Sequence, residues 1–383
     1  MISNGTKFGA HLWNGLEFEE ALFFLVTNTL IVFGQIAVDT ALSVLYAFPH
    51  LFVDPPPLPS PLLLMKAVLT PASEYDEARI VGLQEAVARL KRKSRSFYLA
   101  SSTFQGQIRI DLLLLYSFCR VADDLVDDAS SQSEAEQWIA KLQQYLAIFY
   151  GDKTSTTSDV DSMINEFPPE ARSALKQLPS RISRKPLDDL IKGFETDLLF
   201  TANNTASPIQ TSADLELYAC RVAGTVAQMC IELIFHAYPS SVSKEDQQRI
   251  LEAGNQMGVA LQYVNIARDI CVDAKIGRVY LPATWLKQVG TTHKAILENP
   301  QGPKVEELRS LLLDEAFTLY EGARGAIEEL PVEASGPIRV AVQSYMEIGR
   351  VLRQKGYVVK AGRATVPKLR RLRVAWAALA RVA

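Results

Sequence analysis

The hydrophobic positions of this chain recur mainly at helical spacing, and strand-like alternation is scarce. Beyond residue 72, apolar residues return every three or four positions over long stretches, the period of a helix with one buried face. No longer repeat recurs, which argues against a solenoid. We therefore predict an all-α fold, a helical bundle with a central cavity. The predicted helices are 72–92, 95–103, 108–128, 132–150, 168–178, 186–200, 212–237, 243–272, 305–329 and 333–357.

The N-terminal stretch has a different pattern. Residues Ala21–Val38 (ALFFLVTNTLIVFGQIAV) carry no charge, and this length suits a transmembrane helix. Glu17, Glu19 and Glu20 precede it, where a signal peptide carries positive charge. A transmembrane helix is predicted, with a buried helix of a soluble protein as the alternative. The proline-rich run Val53–Pro61 (VDPPPLPSP) then predicts an extended linker and a domain boundary.

Two pairs of aspartates stand four residues apart, Asp123 with Asp127 and Asp269 with Asp273. Four residues is close to one helical turn, so both carboxylates of a pair point to one side of a helix. Like charges at that spacing repel, and more strongly when desolvated, which indicates a cation between them. Oxygen ligands favour Mg²⁺, which leaves positions to water and substrate phosphates. We predict a Mg²⁺–diphosphate site between two helices; an N-cap role or a solvated acidic surface is the alternative.

Further polar residues share a helix face with each aspartate pair. Tyr116 and Arg120 lie on the face of the first pair, and Gln262 and Asn265 on that of the second. Apolar residues fill the other sides, as at Leu112–Leu115. A polar stripe on a buried helix is costly unless it lines a wet or metal-bearing cavity. The pattern therefore favours a cavity site over a surface.

Composition and charge narrow the function classes. The 383 residues are 48% hydrophobic, enough for a large core, and the formal net charge is −3. From Ile348 onward there is no Asp or Glu, so the basic tail suits anionic lipid or diphosphate, with a solvated helix face as the alternative. Nucleic acid is not expected as a partner, because no aromatic-interleaved basic platform accompanies the charge. The four cysteines and four histidines lack metal-type spacing, which disfavours a zinc or Cys–His enzyme.

Four motifs, in order along the chain, resemble the squalene/phytoene synthase family. The first is Ser94–Tyr98 (SRSFY), and the second is Asp123–Asp127 (DDLVD). The third joins Tyr218 to Val222–Val226 (VAGTV). The fourth is the string Asn265–Pro282, which includes NIARD and ends in GRVYLP. In combination these motifs are highly specific, so the chain is identified as a member of that family.

The resemblance covers roughly residues 72–372. The stretch Glu19–Asn28 (EEALFFLVTN) is similar to the last membrane helix of small fungal and archaeal lycopene cyclases. The chain thus looks like the C-terminal part of a cyclase–synthase fusion. Residues 1–52 are the expected cyclase remnant, 53–71 the linker and 72–383 the synthase domain. Cyclase activity is expected only from a longer protein, because one or two helices cannot enclose a carotenoid.

The resemblance implies a prenyltransferase of carotenoid biosynthesis. Two molecules of geranylgeranyl diphosphate condense head to head through prephytoene diphosphate to give phytoene, without a reductant. The implied cofactor is Mg²⁺, with Mn²⁺ as an alternative ion. Membrane lipid and other enzymes of the carotenoid pathway are the expected partners. The expected location is a membrane, with the synthase domain on its cytoplasmic side.

The resemblance also implies residue roles, motif by motif. The implied metal ligands are Asp123, Asp124, Asp127, Asn265, Asp269 and Asp273. The implied catalytic residues are Asp123, Asp127, Asp269 and Asp273, with Tyr218 and Tyr280, whose ring faces stabilise cationic carbon. The implied substrate-binding residues are Ser94, Arg95, Tyr98, Arg120, Gln262, Asn265, Arg268, Lys275 and Arg278. For each arginine alone a salt bridge to a nearby aspartate is the alternative, and for each tyrosine ordinary core packing.

The chain departs from the family pattern in its second acidic motif, and two rival functions compete with the one that the resemblance implies. Val272 stands where the family often has Glu, so one metal contact is absent or falls to Asn265 or Gln262. Asp197 lies in a family block without an implied role. A squalene-synthase-like reaction on farnesyl diphosphate with NADPH is the enzymatic rival, but Tyr280–Pro282 lacks that branch's aromatic-Trp-Pro string. A non-catalytic scaffold of the same fold is the other rival, although such proteins tend to lose the acidic pairs retained here.

Overall fold

The computed structural model describes residues 11–13, 16–53, 55–56, 58–151, 156–200, 207–239, 242–354 and 366–380. Helices dominate these residues. A single short antiparallel ladder occurs in them, between β1 (His11–Trp13) and β2 (Leu16–Glu17). The chain divides into two compact units, Met1–Ile80 and Val81–Ala383. The prediction of an all-α fold is confirmed.

Helix α1 (Phe18–Ala47) carries its apolar side chains on the outside. Leu25, Ile31 and Phe33 each keep about two thirds of their surface exposed, at 65%, 64% and 65%. A helix of 30 residues is about 45 Å long at 1.5 Å per residue, more than the ~30 Å hydrocarbon core of a bilayer. The predicted apolar helix is therefore present, and it has the length and composition to cross a membrane.

Helix α2 (Pro61–Val68) begins at the end of the proline-rich run Val53–Pro61 and lies inside residues 53–71, which were expected to be the linker. It forms because the side chain of Ser60 accepts a hydrogen bond from the Leu63 amide, with Pro61 in the first turn, where no backbone donor is needed. Ala67 is buried in a small cluster with Leu45 at the C-terminal end of α1. The linker prediction thus missed a packed helix, while the predicted domain limits stay a prediction.

Nearly all of α3 and every later helix belong to the second unit, which is a helical bundle. The helices are α3 (Glu77–Lys93), α4 (Arg95–Ser101), α5 (Gly106–Asp127), α6 (Gln132–Phe149), α7 (Thr157–Asn165), α8 (Pro169–Lys176), α9 (Arg184–Leu198), α10 (Ser212–Ala219), α11 (Thr225–Ala237), α12 (Lys244–Asp273), α13 (Ala283–Val289), α14 (His293–Glu298), α15 (Pro303–Ala323), α16 (Val332–Leu352) and α17 (Lys368–Ala380). Short 3₁₀ turns occupy Ala72–Glu74, Ala274–Ile276 and Arg324–Glu329, and a π-helical turn, Cys220–Gly224, joins α10 to α11.

Two apolar cores hold the bundle together. The first includes Phe118 and Tyr145, with side chains from α5, α6, α8, α9 and α11 around them. The second includes Val264, Leu312 and Met346, from α12, α15 and α16. The long helices α5 and α12 each present one face to a core and another to the space between the cores. This arrangement leaves the polar stripes of both helices free to line a cavity.

The structure corrects several predicted helix limits. The predicted helix 72–92 is a 3₁₀ turn followed by α3, and the predicted helix 305–329 changes to 3₁₀ geometry after Ala323. The predicted helix 212–237 is interrupted by the π-helical turn. The helices α7, α13, α14 and α17 were missed. The first three are short, and the basic charge of α17 obscured its helical period.

Candidate active site

A cavity of about 840 Å³ lies within the second unit. Apolar side chains such as Leu190, Ile231 and Ile250 form part of its wall. Elsewhere the wall carries charges of both signs, with the carboxylates Asp123, Asp127, Asp197, Asp269 and Asp273 and the basic side chains Arg92, Lys93, Arg120, Arg268, Arg278 and Arg371. An apolar wall accommodates hydrocarbon and keeps water out, whereas a cluster of carboxylates calls for cations. One chamber therefore combines an apolar region that suits a hydrocarbon chain with a polar region that suits a charged group.

The last turns of α5 present the first acidic pair to the cavity. Arg120 bonds to Asp123 at 2.8 Å and to Asp124 at 2.5 Å, and Lys93 lies 3.3 Å from Asp124. Burial and the repulsion of Asp127 raise the pKa of Asp123 to about 7, although Arg120 opposes the shift. A pKa this high indicates that Asp123 has too few positive neighbours to offset its desolvation and the charge of Asp127.

The last turns of α12 present the second pair from the other side. Arg268 forks onto Asp269, with its Nε donating to one carboxylate oxygen at 2.8 Å and its Nη2 to the other at 2.5 Å. Arg268 also donates to the amide oxygen of Asn265, which accepts a 2.7 Å bond from the Tyr345 hydroxyl. Burial and the charge of Asp269 raise the pKa of Asp273 to about 7. Both helices therefore end in an aspartate pair that lines the cavity, bonds to an arginine and includes one carboxyl group with a raised pKa.

Arg278 connects the two acidic motifs across the cavity. Its guanidinium donates to Asp127 at 2.8 Å, although the two residues are 151 positions apart in sequence. Both residues line the chamber, together with Asp123, Asp269 and Asp273. The alternative of a solvated acidic surface is therefore wrong. The structure brings the four predicted carboxylates to one chamber.

A buried carboxylate joins the two predicted tyrosines. The hydroxyls of Tyr218 and Tyr280 both donate to Asp197, at 3.0 and 2.7 Å, and the two rings stack 4.9 Å apart. Burial raises the pKa of Asp197 to about 6, against the opposing effect of Arg278. Asp197 thus fixes both rings in the cavity wall, a function that the sequence argument left unassigned.

The π-helical turn and a close helix contact shape the neighbouring part of the wall. A Cβ at Gly258 of α12 would lie 2.6 Å from the backbone oxygen of Ala223 and 2.6 Å from the Cα of Gly224. Only glycine lets α12 approach the turn so closely. The turn itself holds Val222 and Ala223 in the cavity wall. This explains why the VAGTV motif lies beside the carboxylates.

The donor chemistry fits a divalent cation bound together with a phosphate ligand. No group of three acidic, histidine or cysteine side chains positioned to hold a metal occurs in the described parts of the chain. Mg²⁺ does not require such a group, since it takes one or two carboxylates and fills its other positions with water and phosphate oxygens. The pairs Asp123–Asp127 and Asp269–Asp273 offer carboxylates of this kind. A cation between the carboxylates of each pair would relieve the repulsion that helps to raise the pKa values of Asp123 and Asp273.

Some implied site residues lie away from the cavity wall. The carboxylate of Asp124 bonds to Lys93 and Arg120, and Lys275 is exposed. Asp124, Lys275 and Tyr98 do not line the cavity in the described structure. Ser94, by contrast, does line the cavity; it is the N-cap residue of α4, although its hydroxyl makes no capping bond. The side chain of Arg95 lies outside the described residues. The roles of these residues stay predictions.

The cavity also contains polar residues that the sequence argument did not select. Arg92, Lys93 and Arg371 supply positive charge to the wall, and Tyr345 bonds to Asn265. Lys93 and Arg92 directly precede the SRSFY motif, a signal that could have been used. Arg371 of α17 belongs to the basic tail for which diphosphate was one expected ligand, whereas Tyr345 of α16 carries no local mark of a site. Tertiary packing alone brings them there.

These features are those expected of a class of protein that takes an apolar chain and a diphosphate into one chamber, and the family comparison is consistent with that class. The Squalene/phytoene synthase family model matches residues 90–370. The chain belongs to the squalene/phytoene synthase family. Members of this family depend on a divalent metal ion.

Curated relatives extend the match to nearly the whole chain. A bifunctional lycopene cyclase/phytoene synthase of Leptosphaeria maculans is 64% identical over 99% of this chain, and one of Phaeosphaeria nodorum is 63% identical over 99%. One of Gibberella fujikuroi is 53% identical over 99%. The chain spans 65%, 64% and 66% of the lengths of these relatives, in that order.

Solved structures support the fold. A dehydrosqualene synthase in complex with ligand aligns with a TM-score of 0.62 at 22% identity, over 79% of this chain and 97% of that one. A squalene synthase from Alicyclobacillus acidocaldarius aligns with a TM-score of 0.54 at 20% identity, over 74% and 96%. The predicted bundle with a central cavity is therefore confirmed.

Proposed function

We propose that the second unit condenses two molecules of geranylgeranyl diphosphate to phytoene. The observation that carries the proposal is the meeting of two aspartate pairs, three arginines and an apolar wall in one cavity. Membership of the squalene/phytoene synthase family fits this chemistry. The names of the curated relatives favour phytoene over squalene as the product. Nothing favours the NADPH-dependent rival or the scaffold rival.

The reaction balances without a reductant. The donor loses its diphosphate, and its allylic carbon bonds to the double bond of the acceptor. Loss of one proton closes a cyclopropane ring and gives prephytoene diphosphate. Loss of the second diphosphate, ring rearrangement and loss of a second proton give phytoene. Two diphosphates and two protons leave in total, so no electron donor is needed.

The arginines bind the leaving groups. Arg120, Arg268 and Arg278 are fixed by Asp123, Asp269 and Asp127 respectively, with their guanidinium groups at the cavity wall. A planar guanidinium matches phosphate oxygens with two parallel hydrogen bonds. The salt bridge of each arginine therefore supports its proposed contact with phosphate, since the aspartate sets the direction of the guanidinium group.

The acidic pairs hold the metal. Asp123 and Asp127 from α5, and Asp269 and Asp273 from α12, are the proposed ligands, with Mg²⁺ as the proposed ion and Mn²⁺ as a substitute. When bound, the metal supplies Lewis-acid stabilisation of the negative charge on the departing diphosphate. Asn265 is committed to Tyr345 and Arg268, so it orients the arginine.

The remaining wall controls the cationic carbon. Asp197 fixes the rings of Tyr218 and Tyr280, whose faces attract positive charge. The apolar wall excludes water, which would otherwise capture the cation.

The location proposed for the chain is a membrane, with the synthase unit on the cytoplasmic side. The exposed apolar surface of α1 supports membrane insertion. The names of the relatives, and the share of their length that this chain spans, support a longer protein that also cyclises lycopene. Membrane lipid and other carotenoid enzymes are the corresponding partners.

A product assay tests the proposal. The full chain in detergent is incubated with geranylgeranyl diphosphate and Mg²⁺, with and without NADPH, and the hydrocarbons are separated by chromatography. We expect phytoene in equal amount in both reactions. A reduced product that requires NADPH would establish the squalene-like rival, and no hydrocarbon in either reaction would contradict the proposed function.

A further inference from the structure

Helix α17 carries an apolar ridge that no described part of the chain covers. The ridge consists of Leu369, Leu372, Trp376 and Leu379, which are 82%, 57%, 76% and 37% exposed. At about 100° per residue these four positions fall within an arc of about 80° on the helix. Exposed large residues scattered singly are ordinary, but four on one narrow arc form a surface.

A different face of α17 packs against the bundle. Ala375 and Ala378 are buried in a small cluster with Val340 and Ala100. Arg339 of α16 donates to the backbone oxygen of Ala378 at 2.7 Å. Small residues let α17 lie close to α16, and this packing leaves the ridge facing outward.

Positive charge borders the ridge on both sides. On the same helical projection Lys368 lies on one side of the apolar arc and Arg373 on the other. Both are exposed, and the sequence has no acidic residue from Ile348 to its end. A helix with a narrow apolar arc, basic borders and an exposed Trp is suited to the boundary between lipid headgroups and acyl chains.

We propose that α17 docks on an anionic membrane surface, with Leu369, Leu372, Trp376 and Leu379 inserted among the lipids. Charge complementarity selects this occupant. The basic borders attract anionic headgroups, whereas they would repel the same borders of a second copy related by symmetry. The indole of Trp376 suits the interface because it combines a large apolar ring with one hydrogen-bond donor.

Docking places a wall of the cavity beside the lipid. Arg371 of α17 lines the cavity, and so does Val366, which lies just before the start of this helix. A forty-carbon hydrocarbon formed there then has a short route into the membrane. This consequence rests on the proposed function, whereas the docking itself does not, and it is tested without turnover.

Trp376 provides the experiment. The full chain is reconstituted into vesicles of phosphatidylcholine with phosphatidylserine, using brominated acyl chains as quenchers. The difference between the emission of the wild type and of Trp376→Phe isolates this indole. We expect a blue-shifted component that brominated chains quench and aqueous iodide does not. A component quenched by iodide alone overturns the proposal, and so does one protected from both quenchers, which would indicate contact with protein.

Charge variants sharpen the test. We expect Lys368→Gln with Arg373→Gln to reduce the quenching of Trp376 by brominated chains several-fold, as should pure phosphatidylcholine vesicles. The matched control is Lys185→Gln with Lys294→Gln, two other exposed lysines, which should leave the quenching unchanged. Equal loss in both double variants would show that only net charge matters and would overturn the assignment to α17. Unchanged quenching in both would overturn the role of the basic borders.

Discussion

Helices α1 and α12 have the same length, 30 residues, and opposite construction. α1 shows its apolar side chains to the outside and buries residues only near its C-terminal end. α12 buries its apolar side chains and turns a polar stripe, from Gln262 to Asp273, toward a cavity. The two helices differ in the environment that they suit: the exposed apolar surface of α1 suits lipid, and the polar stripe of α12 suits the proposed cation with diphosphate.

The largest effect is expected from removing a carboxylate of α12. Asp269→Asn should lower phytoene formation by about 10²-fold or more, because an amide neither neutralises a metal ion nor fixes Arg268 as a carboxylate does. Product is measured by chromatography and folding by circular dichroism. The matched control is Glu245→Gln, an exposed change on the same helix. Full activity in Asp269→Asn would refute the role given to this aspartate.

A charge on α1 should disturb insertion. Ile31→Arg places a cation near the middle of the helix, at a cost of about 2.5–3.5 kcal/mol on insertion scales. The inserted fraction is measured by carbonate extraction of membranes that contain the full chain. The control is Leu217→Arg, at a 51% exposed position in the other long apolar segment, Ser212–Ala237. We expect that segment to tolerate the charge because it belongs to the bundle; the reverse order of effects would contradict the assignment.

Matched glycines provide a third test. Gly258→Ala in α12 should destabilise the protein by about 1–3 kcal/mol, because the new Cβ meets backbone atoms 2.6 Å away. Gly34→Ala in α1 meets nothing within 4 Å, so it should be neutral or slightly stabilising. Thermal unfolding in detergent measures both. Equal effects in the two variants would argue against the close contact between α12 and the π-helical turn.

The smallest effect is a pH dependence of metal binding. The pKa values of Asp123 and Asp273 are raised to about 7 by burial first, and then by Asp127 and Asp269 respectively. Protons therefore compete with the metal below pH 7, and metal affinity should fall about tenfold or more between pH 8 and pH 6. Calorimetric titration measures it. Asp273→Asn should flatten the profile, and a flat profile in the wild type would contradict the pKa assignment.

Sequence predicted the parts of the site that local spacing encodes. The pairs Asp123–Asp127 and Asp269–Asp273 were found because a four-residue interval on a helix fixes a common direction. The apolar helix α1 could be predicted in the same way, from one uncharged stretch of sequence. In both cases the signal is contained in fewer than two dozen consecutive residues.

The rest depends on contacts between distant segments. The bonds from Tyr218 and Tyr280 to Asp197, and the approach of Arg371, require the packing of separate helices. The exposed ridge of α17 was hidden because only packing shows which face of that helix is left open. The predicted helix limits were wrong where 3₁₀ or π geometry continues the helical period of the sequence with a different hydrogen-bond pattern.

The central claim is that the two acidic motifs act on the same ligand. Binding of Mn²⁺ in the presence of inorganic diphosphate, followed by electron paramagnetic resonance, tests it with Asp123→Asn, Asp269→Asn and the double variant. We predict that each single change removes most of the joint binding and that the double change removes little more, a coupling above about 1 kcal/mol. Losses that simply add would mean two independent sites and would contradict the shared chamber.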